Sequence, residues 1–259
     1  MAKIVCVANP VRGAGRTSSA VNLAASLSLL EKRTLIVDCD PVKATSECFG
    51  FTHDNYDYGL DDLLTGFVGG KGVVARSNLE YLDIIPAGHG LDEIEGNLAY
   101  NPDKEGILTI IIKKFREDYD FIIFDTPGDD GLLTQSALIA SDDLFIPLKF
   151  DSQVVDHLKK LIEMMNESRE KFKSSIRMGG ILFTFCNTIS AVENMLSEDI
   201  VDEFKAFIYQ TTIPESILYE STVAQTKPAC LIDLKSDIAD SFLNVACEFL
   251  SRDAKLMAS

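Results

Sequence analysis

A short glycine loop near the start of the chain has the residue types and spacing that best suit chemistry. It spans residues 8–18, ANPVRGAGRTS, between an apolar run at residues 3–8 and a helical pattern over residues 17–30. A strand, a tight glycine loop and a helix N-terminus together form an anion site, because backbone N–H groups converge there and the helix dipole adds partial positive charge. The chemistry that this stretch favours is phosphate binding.

The loop matches the phosphate-binding pattern G-x-x-x-x-G-K-[ST] only in part. Gly15 and Thr17 stand at the second glycine and at the hydroxyl, whereas Pro10 replaces the first glycine and Arg16 replaces the lysine. In that pattern the lysine contacts the β- and γ-phosphates and the hydroxyl binds Mg²⁺. The pattern alone is therefore weak evidence for a nucleotide site. Stronger evidence has to come from the residues on either side of the loop.

Strand and helix patterns alternate along the chain and would position this loop. Runs typical of buried strands lie at residues 34–38, 79–87, 121–125, 143–148 and 180–186, and helical patterns lie at residues 59–66, 103–117, 154–172, 191–209 and 236–250. This alternation favours a mostly parallel sheet with helices on both faces. We therefore predict a doubly wound α/β fold, and the length suits one domain over residues 1–259.

Three carboxylates follow the predicted strands. Asp38 ends the run at residues 34–38, Asp40 follows two residues later, and Asp125 ends the run at residues 121–125. Ligands of open α/β sheets bind beyond the carboxyl ends of the strands, so these side chains would lie beside the glycine loop. A simpler explanation exists for two of them: Asp125 could cap a strand end, and Asp40 could be a solvated turn residue in Asp-x-Asp-Pro.

The composition limits the partners and the location of the protein. A net charge of −16 and a pI near 4.5 argue against binding of nucleic acid or anionic membrane by the surface as a whole. The six cysteines form no C-x-x-C pair, which favours buried thiols in a reducing compartment. No apolar run reaches the roughly 20 residues that span a bilayer, and we expect a cytoplasmic protein.

The residues around the loop resemble the deviant Walker A motif of the ParA/MinD family of partitioning ATPases. That motif runs N-x-K-G-G-x-G-K-T-T-x-A-x-N-L-A, and residues 9–27 read NPVRGAGRTSSAVNLAASL, with Thr17 and Asn22 in register. The signature lysine of the family falls on Val11, and its Walker lysine falls on Arg16. The resemblance thus implies a P-loop NTPase scaffold with altered catalytic side chains.

A second stretch is similar to the Walker B region of the same family. Residues 119–138, YDFIIFDTPGDDGLLTQSAL, follow the family pattern Y-D-x-I-I-I-D-x-P-P-x-x-x-x-L-T-x-x-A-L. The one clear departure is Gly128, which stands at the second proline. The resemblance continues past residue 214 toward the end of the chain, so it covers nearly the whole sequence.

The resemblance implies a role for each candidate residue. The phosphates would be bound by Gly13, Ala14, Gly15, Arg16, Thr17 and Ser18, and Mg²⁺ would be bound by Thr17, Asp38 and Asp125. Asp40 would position the attacking water, with Arg16 and Arg12 as the other catalytic residues. Asn187 would read the adenine edge, unless it is an ordinary turn residue. Pro214 would pack beside the base as part of a base-packing loop at residues 213–216.

The implied activity is binding of ATP or ADP with Mg²⁺ by a homodimer. Two functions remain open: a slow ATPase whose nucleotide-dependent dimer positions a cargo such as DNA or a protein complex, and a degenerate adaptor dimer that does not hydrolyse ATP. In this family the signature lysine reaches the phosphates of the partner, which Val11 cannot do. Another cation would have to serve, and we expect Arg12 before Lys149 because arginine can grip phosphate with two N–H groups.

Direct binding of DNA or of a membrane is less favoured. The residues that could hold DNA nonspecifically are Lys159, Lys160, Arg169, Lys171, Lys173 and Arg177. Glutamates are interspersed among them, which favours an ordinary solvated helix face. Residues 251–259 are few, mixed in charge and weakly apolar, so we expect no membrane anchoring. An unidentified protein partner or cargo is the expected interaction.

Overall fold

The described strands form one sheet. The computed structural model describes residues 1–52, 55–196, 202–214 and 227–257. Its strands are β1 (Lys3–Val7), β2 (Thr34–Asp38), β3 (Ala75–Arg76), β4 (Leu82–Ile85), β5 (Phe121–Asp125), β6 (Asp143–Lys149) and β7 (Arg177–Thr184). They are ordered β3-β4-β2-β5-β1-β6-β7, and every neighbouring pair is parallel except β3–β4. The carboxyl ends of the parallel strands therefore meet along one edge.

Helices cover both faces of this sheet. The described ranges include α1 (Arg16–Leu29), α2 (Ala44–Cys48), α3 (Leu60–Leu64), α4 (Ile94–Asn97), α5 (Ile107–Ile112), α6 (Leu132–Ala140), α7 (Val154–Phe172), α8 (Ile189–Met195), α9 (Ala229–Ile232) and α10 (Asp237–Met257). α1 and α10 pack on one face, and α3, α5, α6 and α7 pack on the other. The predicted doubly wound α/β fold is confirmed. Of the helices in the described ranges, none is long and apolar enough to cross a bilayer.

The central strand shows why the sequence adopts this arrangement. β1 lies between β5 and β6, and all five of its residues are buried. Ile4 and Cys6 belong to the core on the side of α5 and α6, whereas Val5 and Val7 belong to the core on the side of α1 and α10. A strand covered on both faces needs apolar side chains at consecutive positions. The run at residues 3–8 supplies them.

The predicted helix at residues 191–209 extends too far, because residues 202–204 are helical whereas residues 205–209 are not. α8 covers its first part, and residues 197–201 lie outside the described part of the chain. Ile208 forms a parallel bridge with Ile181, and the N–H of Tyr209 donates to the Ile181 carbonyl at 2.9 Å. Tyr209 is completely buried there. Pairing with β7 and burial of this aromatic ring outweigh the helical period of the local sequence.

Several other elements differ from prediction in their bounds. The strand predicted at residues 79–87 is the shorter β4, Leu82–Ile85. The predicted helix at residues 103–117 consists of a 3₁₀ turn, Lys104–Gly106, followed by the shorter α5. The strand predicted at residues 180–186 begins earlier, at Arg177. α10 continues to Met257 instead of ending at residue 250.

A buried ion-pair network at the amino ends of the strands explains the length of α10. Lys3 Nζ lies 2.8 Å from Asp143 Oδ2 and 2.8 Å from Asp253 Oδ1. Arg177 Nε lies 2.6 Å from the other oxygen of Asp143. Lys3 and Asp143 are both buried. Asp253 thereby joins the last turns of α10 to the first residue of β1, at the sheet edge opposite the glycine loop.

Replacing Lys3 by alanine should lower the free energy of unfolding by about 3 kcal/mol, because the buried carboxylate of Asp143 would lose one of its two cationic partners. The matched control is Lys171→Ala, whose exposed ion pair with Glu167 is worth at most about 1 kcal/mol. Urea unfolding followed by circular dichroism measures both losses. Equal losses in the two variants would contradict a stabilising role for the network.

Candidate functional site

The glycine loop leaves β1 and enters α1 at the carboxyl edge of the sheet. Gly13 has φ +76° and Gly15 has φ +82°, a left-handed conformation that glycine adopts without steric cost. Gly15 directly precedes α1, and its carbonyl accepts from the Ser19 N–H at 2.8 Å. The first N–H groups of a helix have no acceptor within the helix. The loop therefore presents an anion site at the start of α1.

Hydrogen bonds to the neighbouring strands hold this loop in place. Asn9 donates to the Pro147 carbonyl at 2.7 Å and accepts from the Val11 N–H at 2.8 Å. The Thr184 hydroxyl, at the end of β7, donates to the Ala14 carbonyl at 3.0 Å. Both ends of the loop are thus attached to the sheet, which pre-forms the anion site without a ligand.

Two of the predicted metal ligands lie side by side beneath the loop. Asp38 and Asp125 end adjacent strands, are in register with each other and are completely buried. Asp38 Oδ2 accepts from the N–H and the hydroxyl of Ser46, at 2.8 and 2.6 Å. Asp125 Oδ2 accepts from the Thr45 hydroxyl at 2.7 Å. The loop after β2 is thereby bound to the end of β5.

Burial makes ionisation of this acidic pair costly. Burial, and then the charge of Asp125, raises the pKa of Asp38 to about 7. Burial also raises the pKa of Asp125 to about 6, although the hydroxyls of Thr45 and Thr17 and the charge of Arg16 oppose the rise. Without a cation, both carboxyl groups therefore hold their protons more tightly than exposed carboxyl groups do. A cation nearby would favour their ionised forms.

One oxygen of the acidic pair has no hydrogen bond from any described residue. Asp125 Oδ1 is buried and finds no donor among the residues that the structure describes. Mg²⁺ is bound by one or two carboxylates, by hydroxyl oxygen, by phosphate and by water. The unpaired oxygen, the neighbouring Asp38 and the nearby Thr17 hydroxyl match this donor set. The residues present therefore fit Mg²⁺.

Arg16 connects the loops that surround the site. Its side chain is only 11% exposed, its Nη1 donates to the Asn9 carbonyl, and its Nη2 lies 3.8 Å from Asp40 Oδ2. Arg16 Nε is buried and has no acceptor in the described ranges. Asp40 also accepts from the Val42 N–H at 2.9 Å through its other oxygen. The guanidinium thus bridges the loops after β1 and β2.

The two candidate replacements for the signature lysine differ in their surroundings. Arg12 is exposed on the glycine loop, one residue beyond the half-buried Val11. Lys149, at the end of β6, is half-buried, and its Nζ lies 5.4 Å from the centroid of the Phe185 ring. Arg12 therefore has more freedom to reach a second copy of the chain.

The predicted adenine-binding residues lie on adjacent segments beyond β7. Asn187 is exposed, and the N–H of the preceding Cys186 donates to the Ile213 carbonyl at 3.0 Å. Pro214 follows Ile213 and is half-buried. The structure therefore brings the Asn187 and Pro214 segments together. Glu215 and Ser216 of the predicted base-packing loop lie outside the described residues.

Thr45 and Ser46 were missed by the sequence reasoning. Both lie in α2, which begins directly after Lys43, whose backbone is left-handed (φ +64°). Thr45 donates to Asp125, and Ser46 donates to Asp38. The available signal was a pair of hydroxyl residues closely following a strand that ends in aspartate. Such pairs commonly cap helices or solvate turns, so their type alone does not identify a site.

Half of the basic residues considered for DNA binding are engaged within the chain. Arg169 Nε donates to the Ile176 carbonyl at 2.6 Å, and Lys171 pairs with Glu167 at 3.2 Å. Arg177 belongs to the network around Asp143. These contacts reduce the continuous positive field that phosphate contacts need.

Relatives of known sequence align along nearly all of the chain. A family model described as an AAA domain matches residues 2–178. The chromosome partitioning protein ParA of Myxococcus xanthus is 30% identical over 97% of this chain and 89% of its own length. The sporulation initiation inhibitor protein Soj of Bacillus subtilis is 28% identical over 96% of this chain and 98% of its own length.

Solved structures share the fold. Apo McdA from Cyanothece superposes with a TM-score of 0.83 at 20% identity, covering 96% of this chain and all of that chain. Cobyrinic acid a,c-diamide synthase from Mycobacterium smegmatis, with bound ADP and magnesium, gives a TM-score of 0.81 at 22% identity, covering 96% and 94%. The family model spans most of the chain and the ParA relative aligns along nearly all of it, so the chain belongs to the ParA/MinD family of P-loop proteins.

Proposed function

We propose that this protein binds ATP or ADP with Mg²⁺ at the glycine loop and acts as a nucleotide-dependent homodimer that positions a cargo. The observation that carries the proposal is the buried Oδ1 of Asp125, which has no hydrogen-bond donor in the described part of the chain and lies next to Asp38 and Thr17. A carboxylate oxygen removed from water in this way needs a cation or a donor. The relative solved with ADP and magnesium supports this choice of ligand.

The proposed roles follow from the positions of the side chains. The N–H groups at the start of α1 would bind the phosphates, and Arg16 would supply the positive charge that lysine supplies in related loops. Thr17 and Asp125 would bind Mg²⁺, with Asp38 beside them. When bound, Mg²⁺ neutralises charge on the β- and γ-phosphate oxygens. Asp40, joined to Arg16, would orient the water that attacks the nucleotide.

The relatives support positioning as the general function. ParA of Myxococcus xanthus is a chromosome partitioning protein by name. Direct DNA binding has less support in this chain, because its net charge is −16 and Arg169, Lys171 and Arg177 are engaged within the chain. We therefore favour a protein partner or a protein complex as the cargo.

One contact favours a second function, a non-hydrolysing adaptor. Arg16 Nη2 lies 3.8 Å from one oxygen of Asp40, and the other oxygen accepts from the Val42 N–H. The positive charge of Arg16 beside Asp40 makes this carboxylate a weaker acceptor for the proton of an attacking water, which would slow hydrolysis. The nucleotide site would then control or stabilise the dimer without turnover.

Replacing Thr17 by alanine should weaken binding of ATP with Mg²⁺ about tenfold or more and weaken Mg²⁺-free binding much less, because the hydroxyl serves the metal. Isothermal titration calorimetry with ATP, in Mg²⁺ and in a chelator, measures both. Thr65→Ala is the matched control, since its hydroxyl bonds to carbonyls of its own helix. If the wild type gives no heat with millimolar nucleotide and Mg²⁺, the nucleotide proposal fails.

Replacing Asp125 by asparagine should stabilise the nucleotide-free protein at pH 8 by about 3 kcal/mol. The pKa of Asp125 is raised in the folded state from 3.8 to about 6, so the folded wild type binds the proton more tightly and loses stability as the pH rises through this range. Asparagine keeps an acceptor for Thr45 and carries no charge, so the variant lacks this loss.

Chemical unfolding of both proteins at pH 4 and pH 8 measures the difference. The gap between variant and wild type should shrink at pH 4, where the wild-type carboxyl is protonated. The exposed Asp92→Asn is the control and should show no such gap. A gap of equal size at the two pH values would contradict a titrating Asp125.

A slowly hydrolysed ATP analogue should convert the wild type from monomer to dimer. Arg12→Ala should weaken this dimer about tenfold, because the exposed guanidinium would contact the phosphates of the second copy. Lys149→Ala should have a smaller effect, since that ammonium already lies against Phe185. Light scattering measures the masses. A nucleotide-dependent dimer that survives both substitutions contradicts the proposed role of Arg12, and a wild type that is dimeric without nucleotide favours the adaptor.

A further inference from the structure

Gly128, in the loop after β5, lies against the guanidinium of Arg16. A β-carbon placed on Gly128 would be 2.8 Å from both Nη1 and Nη2 and 3.2 Å from Cζ. Favourable contacts between non-bonded heavy atoms lie at about 3.5–4.0 Å. A side chain at residue 128 and the present position of Arg16 therefore exclude each other.

The backbone of Gly128 does not itself require glycine. It is absent from the glycines with positive φ, in contrast to Gly13 and Gly15. An alanine at this position would therefore meet the Arg16 side chain as its main obstacle. Glycine suits this position because the space that a side chain would fill is taken by the Arg16 guanidinium.

Arg16 cannot move away from residue 128 without losing its contacts with Asn9 and Asp40. Its Nη1 donates to the Asn9 carbonyl and its Nη2 approaches Asp40, and the side chain is only 11% exposed. A long side chain can rotate out of a clash, so Gly128→Ala should still fold. The guanidinium would then leave its partners on the loops after β1 and β2.

The two positions depart together from the pattern that the chain resembles, which has lysine at residue 16 and proline at residue 128. Lysine ends in one nitrogen and has no counterpart of the forked Nη1 and Nη2 atoms. Those two atoms are the nearest to the Gly128 site. A β-carbon at residue 128 is thus compatible with lysine and incompatible with this placement of arginine.

We propose that Gly128 is a positioning residue that allows Arg16 to replace the Walker lysine, so that the two residues form one interdependent unit. Residue 128 would then control nucleotide affinity without contacting the nucleotide. This role rests on the proposed nucleotide site, whereas the contact between the two residues does not.

The test is a double-mutant cycle of wild type, Gly128→Ala, Arg16→Lys and the double variant. Calorimetry gives the dissociation constant for ATP with Mg²⁺, and thermal unfolding without nucleotide gives the stability of each protein. Gly128→Ala should weaken binding about tenfold and lower the unfolding midpoint when residue 16 is arginine. With lysine at residue 16, the same substitution should change neither quantity.

Gly96→Ala is the control, because a β-carbon at Gly96 would meet nothing within 4 Å. Equal effects of Gly128→Ala in the arginine and lysine backgrounds, or no effect in either, would overturn the proposal. If Gly128→Ala alone fails to fold, folding of the double variant supports the pair and its failure overturns it. If the wild type binds no nucleotide, the proposed function fails, and the unfolding midpoints still decide whether the two residues are coupled.

Discussion

The structure around the loop depends on one electrostatic constraint, the meeting of two carboxylates inside the protein. Asp38 and Asp125 are in register on β2 and β5 and have no exposed surface. Two adjacent buried carboxylates cannot both ionise unless donors or a cation surround them. Ser46 and Thr45 supply donors to one oxygen of each. These hydrogen bonds hold the loop after β2 against the end of β5, and they leave Asp125 Oδ1 without a donor among the described residues.

The sheet and the acidic strand ends could be predicted because they depend on local sequence. A strand buried on both faces must be apolar at consecutive positions, and the runs ending in Asp38 and Asp125 show this directly. Parallel strands then bring their last residues to the same edge without any information on side-chain packing. Gly13 and Gly15 were predictable for a similar reason, since their backbone conformation favours glycine itself.

The remaining features depend on residues that are distant in sequence. Thr45 reaches Asp125 across 80 residues of chain, and no local pattern encodes that hydrogen bond. The sequence before Tyr209 has a helical period, but this segment pairs with β7 and the Tyr209 ring is buried there. The sequence shows that Arg16 replaces a lysine, whereas the direction of its side chain is set by Asn9 and Asp40.

The ion-pair network around Lys3 and the acidic pair occupy opposite edges of the same sheet. Substitutions at well-separated sites usually have additive effects on stability. The free energy of unfolding contributed by the ion pairs of Asp143 and Asp253, at the amino ends of the strands, can therefore offset destabilising substitutions at the carboxyl ends. In such an arrangement, substitutions in the loops at the carboxyl ends can change what the site binds while the sheet stays folded.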